Sequence, residues 1–411
     1  MSSAVPAAAT LRETAFFRFW LARVLSISGF QIISVVIGWQ IYALTGRVFD
    51  LGLAGLCQFL PMVVLTLPAG HAADRYDRRD IVRICQAIEA SIVAALALAS
   101  HLGVVTPPAI FAAAVLLGAA RTFEGPATAA LLPAIVPQAL FSRAIALTAS
   151  AVQTASIVGP ALGGLLYIAG AEVTYGFTSL VFLSAVALVS SLRVRRAPAR
   201  REPATMESLL SGFAFIRSQP AVLGAISLDM VAVLLGGATA LLPVYASDIL
   251  QTGSTGLGLL RAAPAAGALA MSLLLARFPL ERRAGRKMFA AVGVFGLATV
   301  VFGLSTSFAL SLAALLAMGA SDVVSVVVRG SLVQMATPDA MRGRVGAVNS
   351  MFIGTSNQLG EFESGMTAAL LGTVPAVVLG GIGTIATAIV WMGLYPQLRR
   401  VQSLNDRPLG G

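Results

Sequence analysis

The sequence predicts an all-α membrane protein of twelve transmembrane helices, arranged as two pseudo-symmetric six-helix bundles. Three observations predict it. The first is composition: 57% of the 411 residues are hydrophobic and only 11% are charged, against roughly 25% charged in soluble domains. Mean hydropathy is +0.86. The second is a series of twelve apolar runs, each close to the roughly 20 residues that a helix needs to cross a bilayer. The third is an internal repeat in which Gly118 falls on Gly319, a shift of 201 residues.

The runs cover about residues 16–44, 51–73, 81–101, 108–132, 144–170, 174–192, 220–245, 256–278, 288–306, 309–333, 345–372 and 374–395. They are expected to be helices, because lipid offers no partner to bare backbone N–H and C=O groups. Gly and Pro interrupt several of them, and the 40 glycines suit helices that pack closely through small residues. The first run follows Arg12 and Arg18 without a cleavable-signal pattern, so it is expected to stay as a span. Cys57 and Cys85 lie in or beside apolar runs and read as small core residues.

The net charge of +10 does not point to nucleic acid, since the arginines sit in short loops between spans. Arg75, Arg78, Arg79 and Arg83 follow span 2, and Arg143 precedes span 5. Arg193, Arg195, Arg196, Arg200, Arg201 and Arg217 lie between spans 6 and 7. Arg282, Arg283, Arg286 and Lys287 follow span 8, Arg342 and Arg344 precede span 11, and Arg399, Arg400 and Arg407 follow span 12. Alternate loops put all of these on one side, leaving Arg47 and Arg261 opposite. The positive-inside rule makes that side cytoplasmic, with both termini on it.

The long connection divides the chain into an N-terminal half (1–192), a cytoplasmic linker (193–219), a C-terminal half (220–398) and a tail (399–411). The stretch Ser208–Arg217 reads equally as an amphipathic surface helix or as a plain tether. The halves are repeats. In the register of Gly118 and Gly319, Arg121 falls on Asp322, Arg143 on Arg344, Gly159 on Gly360 and Gly164 on Gly365. Parallel repeats imply a pseudo-two-fold axis along the membrane normal and a substrate site between the halves near the midplane.

Three motifs carry mechanism. The turn Gly70, Asp74, Arg75, Arg78 and Arg79 resembles the G-x-x-x-D-R-x-G-R-R/K signature of the major facilitator superfamily, with Asp77 where glycine is usual. The resemblance implies a conformational latch: Gly70 for close helix approach, Asp74 against a helix N-terminus, and arginines pairing across the cytoplasmic face. The plainer reading is that the arginines only set topology. Its counterpart in the second half keeps Arg283, Gly285, Arg286 and Lys287, but Arg282 replaces the acid. In span 5, Gly159, Pro160, Gly163 and Gly164 resemble the antiporter signature G-x-x-x-G-P-x-x-G-G, with Ala155 replacing its first glycine; proline kinks the helix. In span 4, Arg121, Glu124 and Gly125 resemble the superfamily's fourth-helix arginine motif, which implies proton coupling.

Charges inside the membrane are costly and mark function. Arg121 and Glu124, three residues apart, share a helix face. Asp229, Asp322, Glu361 and Glu363 are the other candidate proton carriers. Glu89 is expected near the cytoplasmic end of span 3, paired with an arginine, and Arg329 is expected to be structural. Gln31, Trp39, Gln40, Tyr42 and Asn357 are candidates to line the substrate cavity, although Trp and Tyr also serve as interfacial belts.

Over nearly its full length the chain resembles the major facilitator superfamily, and by Phe17–Trp20, Trp39–Thr45 and Met341–Val345 its branch of enterobactin, macrolide and multidrug exporters. That resemblance implies export of an amphipathic small molecule, a siderophore or drug, by proton antiport with alternating access. Proton-linked import of a nutrient is the alternative on the same fold. An enzyme is not expected, because only His71 and His101 are present and no loop is long enough for a catalytic domain. No cofactor or metal is expected, and no nucleotide loop points to ATP. The expected partners are a small-molecule substrate, protons and the lipid bilayer, around a monomer.

Overall fold

The computed structural model of the protein describes residues 14–136, 140–192, 206–278, 280, 283–338 and 341–402. The described residues are almost entirely helical. In chain order the helices are α1 Thr14–Thr45, α2 Val48–Arg75, α3 Arg78–His101, α4 Pro107–Ile135, α5 Phe141–Leu166, α6 Ala171–Ser190, α7 Met206–Ser218, α8 Pro220–Leu235, α9 Gly253–Arg277, α10 Ala284–Leu304, α11 Phe308–Ala336, α12 Arg342–Leu371, α13 Thr373–Leu394 and α14 Pro396–Arg400. The seventh span is broken. Beyond α8 and Gly236–Gly237 it continues as a 3-10 turn at Ala238–Leu241, one helical turn at Leu242–Val244 and a π-turn at Tyr245–Ile249.

Among the described residues, eleven segments are long and apolar enough to cross a membrane. The predicted eleventh span, α12, has 30 residues and therefore the length, but not the apolarity. Asn349, Asn357, Gln358, Glu361 and Glu363 dilute it. A helix of membrane length carrying that many polar groups has reason to shield them from lipid.

The helices form two compact units. Of the described residues, one holds those within 14–44 and 57–192, the other those within 45–56 and 206–402. The first turns of α2 thus cluster with the second unit: Gly52 abuts Phe362 and Gly365 of α12, and the Phe49 and Phe362 rings lie 6.3 Å apart, edge to face.

In the first unit a core forms where six helix ends meet. Phe16 and Phe19 of α1, Ala73 of α2, Val82 of α3, Leu131 of α4, Ala144 of α5 and Val189 of α6 are all buried there. Gly118 marks the tightest helix crossing of this unit, since a Cβ there would lie 2.0 Å from the Gln58 carbonyl oxygen of α2. Its repeat partner Gly319 does the same in the second unit, where a Cβ would lie 1.8 Å from the Pro264 carbonyl oxygen of α9. The repeat therefore preserves two backbone-to-backbone contacts that only glycine allows.

The core of the second unit joins Leu228 of α8, Met288 and Phe289 of α10, Val328 and Leu332 of α11, Ala388 of α13 and Leu398 of α14. The Ser208–Arg217 stretch lies within a helix, α7. Ile216 is buried among Val222, Val333, Val345 and Val348, and Gly212 abuts the Arg344 carbonyl. It is a docked element of the second unit, not a plain tether. The arginines from Arg193 to Arg201, with Arg282 and Arg407, lie outside the described residues.

Candidate functional site

Each unit holds its own buried charged cluster. In the first, the Arg121 Nη1 of α4 donates to Glu124 Oε2 at 2.6 Å and to Ser26 Oγ of α1 at 2.9 Å. Glu124 Oε1 accepts from Ser26 Oγ at 2.8 Å and from Gln86 Nε2 of α3 at 2.9 Å. The carboxylate thus takes three donors from three helices. The Arg121 guanidinium also lies 4.7 Å from the centre of the Phe30 ring, a cation–π contact. Glu124 is 1% exposed and the Arg121 side chain 25%, so the pair is accessible from the arginine side only. Arg23 of α1 is within electrostatic reach of both. The three-residue spacing predicts the pair; Ser26, Gln86 and Phe30 come only from the packing of α1 and α3.

In the second unit Asp229 of α8 forms a buried ion pair with Arg329 of α11. Ser325 Oγ donates to the other Asp229 oxygen at 3.0 Å. Arg329, expected to be structural, is therefore one half of a charge pair that also includes a candidate proton carrier. Asp322 lies one turn from Ser325 on α11, and these residues line a cleft with Val292, Phe295 and Ser321. In the repeat register Ser325 holds the place of Glu124, so both units bond a charge at this level of their fourth helix, with the acid on different helices.

On α12, Glu361 interacts electrostatically with Arg261 of α9, and its Oε2 is where a Cβ on Gly55 would meet it, at 3.0 Å. Arg261 lies inside α9, eight positions after Gly253 (261 − 253). Glu363 accepts from its own helix, from Thr367 Oγ1 at 2.7 Å. Asn357 is exposed at the middle of α12, where a lipid-facing amide would be costly.

The charged turn departs from its expected roles. A Cβ on Gly70 would meet nothing within 4 Å, so Gly70 is not a close-approach glycine in this conformation. Asp74 lies in the last turn of α2. The capping acid is Asp77, which precedes α3 and accepts from the Arg79 backbone N–H at 2.9 Å. The departure from the family's glycine thus has a physical reason. Arg78 donates to the carbonyls of Ala73 and Ala130 at 3.3 and 3.2 Å, and Arg79 to that of Leu192 at 2.8 Å. These arginines tie the α2–α3 turn to backbone carbonyls of α2 and α4 and to the chain just past α6, where carbonyls lack helical partners. Arg75 is exposed.

The α5 motif packs as a glycine-lined helix face against α1. Pro160 is inside α5. A Cβ on Gly159 would lie 2.7 Å from Gln31 Cβ, and one on Gly163 3.1 Å from the Ile32 carbonyl, both in α1; Gly164 is buried. Gln31 is consequently a packing partner of Gly159. Gln40 is 6% exposed. It donates to Ser100 Oγ at 3.1 Å and accepts from Tyr175 OH at 2.7 Å, which makes it a tie between α1, α3 and α6 and removes it from the cavity-lining candidates. Trp39 sets its ring edge-on to Tyr167, 6.4 Å between centres. Tyr42 is half-buried.

Two helical units with charged residues buried in their helices fit a multi-pass membrane transporter, and the chain belongs to the major facilitator superfamily. More narrowly, the chain belongs to the transmembrane secretion effector family, whose profile matches residues 5–409. It is 28% identical over 399 residues to the enterobactin exporter EntS of Citrobacter koseri, covering 96% of this chain and 95% of that one. Against the enterobactin exporter EntS of Shigella boydii it is 27% identical over 389 residues, 94% and 93% of the two chains. Among solved structures, a variant of the nucleoside transporter NupG superposes with a TM-score of 0.73 at 14% identity, over 93% of this chain and all of that one. A bacterial homologue of the lysosomal transporter Spinster gives 0.70 at 14% identity, over 97% and 98%.

Proposed function

We propose that this protein exports an amphipathic small molecule of the siderophore class, with enterobactin as the first candidate, by proton antiport with alternating access. The observation that carries the reading is the match to enterobactin exporters along nearly the whole of both chains. The Gly159–Gly164 motif supports export, and the buried Arg121–Glu124 and Asp229–Arg329 pairs support coupling to protons. Asp322, Glu361 and Glu363 remain further candidate carriers. A cationic group such as Arg121, partly accessible, suits an anionic catecholate. The protein acts in a bacterial inner membrane with both termini cytoplasmic, the side on which the arginine-rich loops fall.

The test is secretion of enterobactin by a strain that lacks its own exporter. Expression of this chain is expected to restore enterobactin to the medium, and a protonophore to stop it. Unchanged retention of enterobactin in the cells overturns the substrate, and secretion that ignores the protonophore overturns the coupling.

A further inference from the structure

Glu89 is the least explained charged residue in the described part of the protein. It lies on α3, 11 positions after Arg78 (89 − 78), about 16 Å along the helix at about 1.5 Å per residue. That is the middle of the span, not its end. It is 0% exposed, and neither carboxyl oxygen has a hydrogen-bond partner. The expected arginine is not there: Arg121 bonds to Glu124 and Ser26, and no donor from Arg23 reaches Glu89. An ionised carboxylate buried without any donor is among the costliest arrangements a protein can hold.

A second orphan sits one turn earlier on the same helix face. Gln86 gives its amide N–H to Glu124 Oε1, which sets the orientation of its amide, since an ionised Glu124 only accepts. The Gln86 Oε1 is then left buried with no partner. A proton on Glu89 answers both deficits: it turns a carboxylate into a donor, one turn from an acceptor that lacks one.

We propose that Glu89 is the proton-binding residue of the N-terminal half, with Gln86 as the positioning residue that connects it to Glu124 and Arg121. The inference deepens the antiport reading above and rests on it for its role in transport. The groups around Glu89 are Cys85 on its own helix and Glu124 and Arg121 on α4, with Arg23 of α1 near the Arg121–Glu124 pair; α6 presents the neutral Ser179, which bonds the Ala90 carbonyl next to Glu89. With the proton on Glu89, Arg121 has one carboxylate to pair with, Glu124. When the proton leaves, Glu89 becomes a second anion within reach of Arg121. The guanidinium then has two competing partners on two helices, α3 and α4, and its redistribution between them links proton release to a shift of those helices. No bond other than O–H is made or broken, and the proton goes to water.

Infrared difference spectra of the purified full-length protein in lipid test this without a substrate. At neutral pH the wild type is expected to show a protonated-carboxyl C=O band that shifts in deuterated water. Glu89→Gln, which keeps shape, is expected to lose one such band, while Gln86→Leu is expected to move it to higher frequency, because the acid loses its acceptor. An unchanged band in both variants overturns the proposal. If Glu89→Gln does not yield folded protein, the Gln86→Leu shift alone decides. The spectra are independent of enterobactin secretion, so failure of the export reading and failure of this proposal are read separately.

Discussion

Asp229 and Arg329 are 6% and 5% exposed at their side chains, so neither charge has water to fall back on. Breaking such a pair by removing one partner costs about 3–5 kcal/mol, because the other charge is left buried. Asp229→Asn is therefore expected to lower the thermal unfolding midpoint of the purified protein strongly. Asp229→Leu combined with Arg329→Met is expected to recover part of that loss, since replacing both charges leaves none unpaired; a double variant less stable than the single one would contradict this account. The spacing of Arg121 and Glu124 made that pair legible from the sequence, because three residues apart is a property of one helix. Asp229 and Arg329 are on different helices, 100 positions apart, and no local pattern pairs them. The pairing expected of Glu89 fails for the same reason: whether a donor reaches a carboxylate depends on neighbouring helices.

The helices themselves were the most readable level, since length and apolarity are local. The exceptions are instructive. α12 falls short in apolarity because Asn349, Asn357, Gln358, Glu361 and Glu363 lie along it, and the seventh span breaks where Gly236 and Gly237 abut Phe295 and Gly360. At the start of α3, Asp77→Ala is expected to cost about 1 kcal/mol through loss of the N-cap, whereas Asp77→Gly, the family's residue, costs only a few tenths. Equal losses for both in a thermal unfolding series would argue against a capping role. Gly118→Ala and Gly319→Ala should each destabilise by about 1–3 kcal/mol, since the backbone carbonyl opposite cannot swing aside as a side chain could. Folded yield and unfolding midpoint of each variant check this, and wild-type values for both would refute the close crossings.

At the scale of the whole molecule, arginine placement predicts cytoplasmic termini, and reporter fusions at Met1 and Gly411 are expected to be active only for cytoplasmic reporters. The sequence by itself determined the class of protein, eleven of the twelve spans it predicts, the repeat and the family. Each of these follows from composition, from run length against bilayer thickness, or from spacing along one chain, and such properties need no knowledge of neighbours. Tertiary structure alone decided which acid meets which base. It turned Gln40 from a lining residue into a tie between helices, gave Asp77 the cap of α3, and sent Arg78 and Arg79 to backbone carbonyls. It also left Glu89 and the Gln86 carbonyl without partners in the centre of a span. Hydrogen bonds in a helical membrane protein form between segments remote in sequence, so their partners are set by packing and not by pattern.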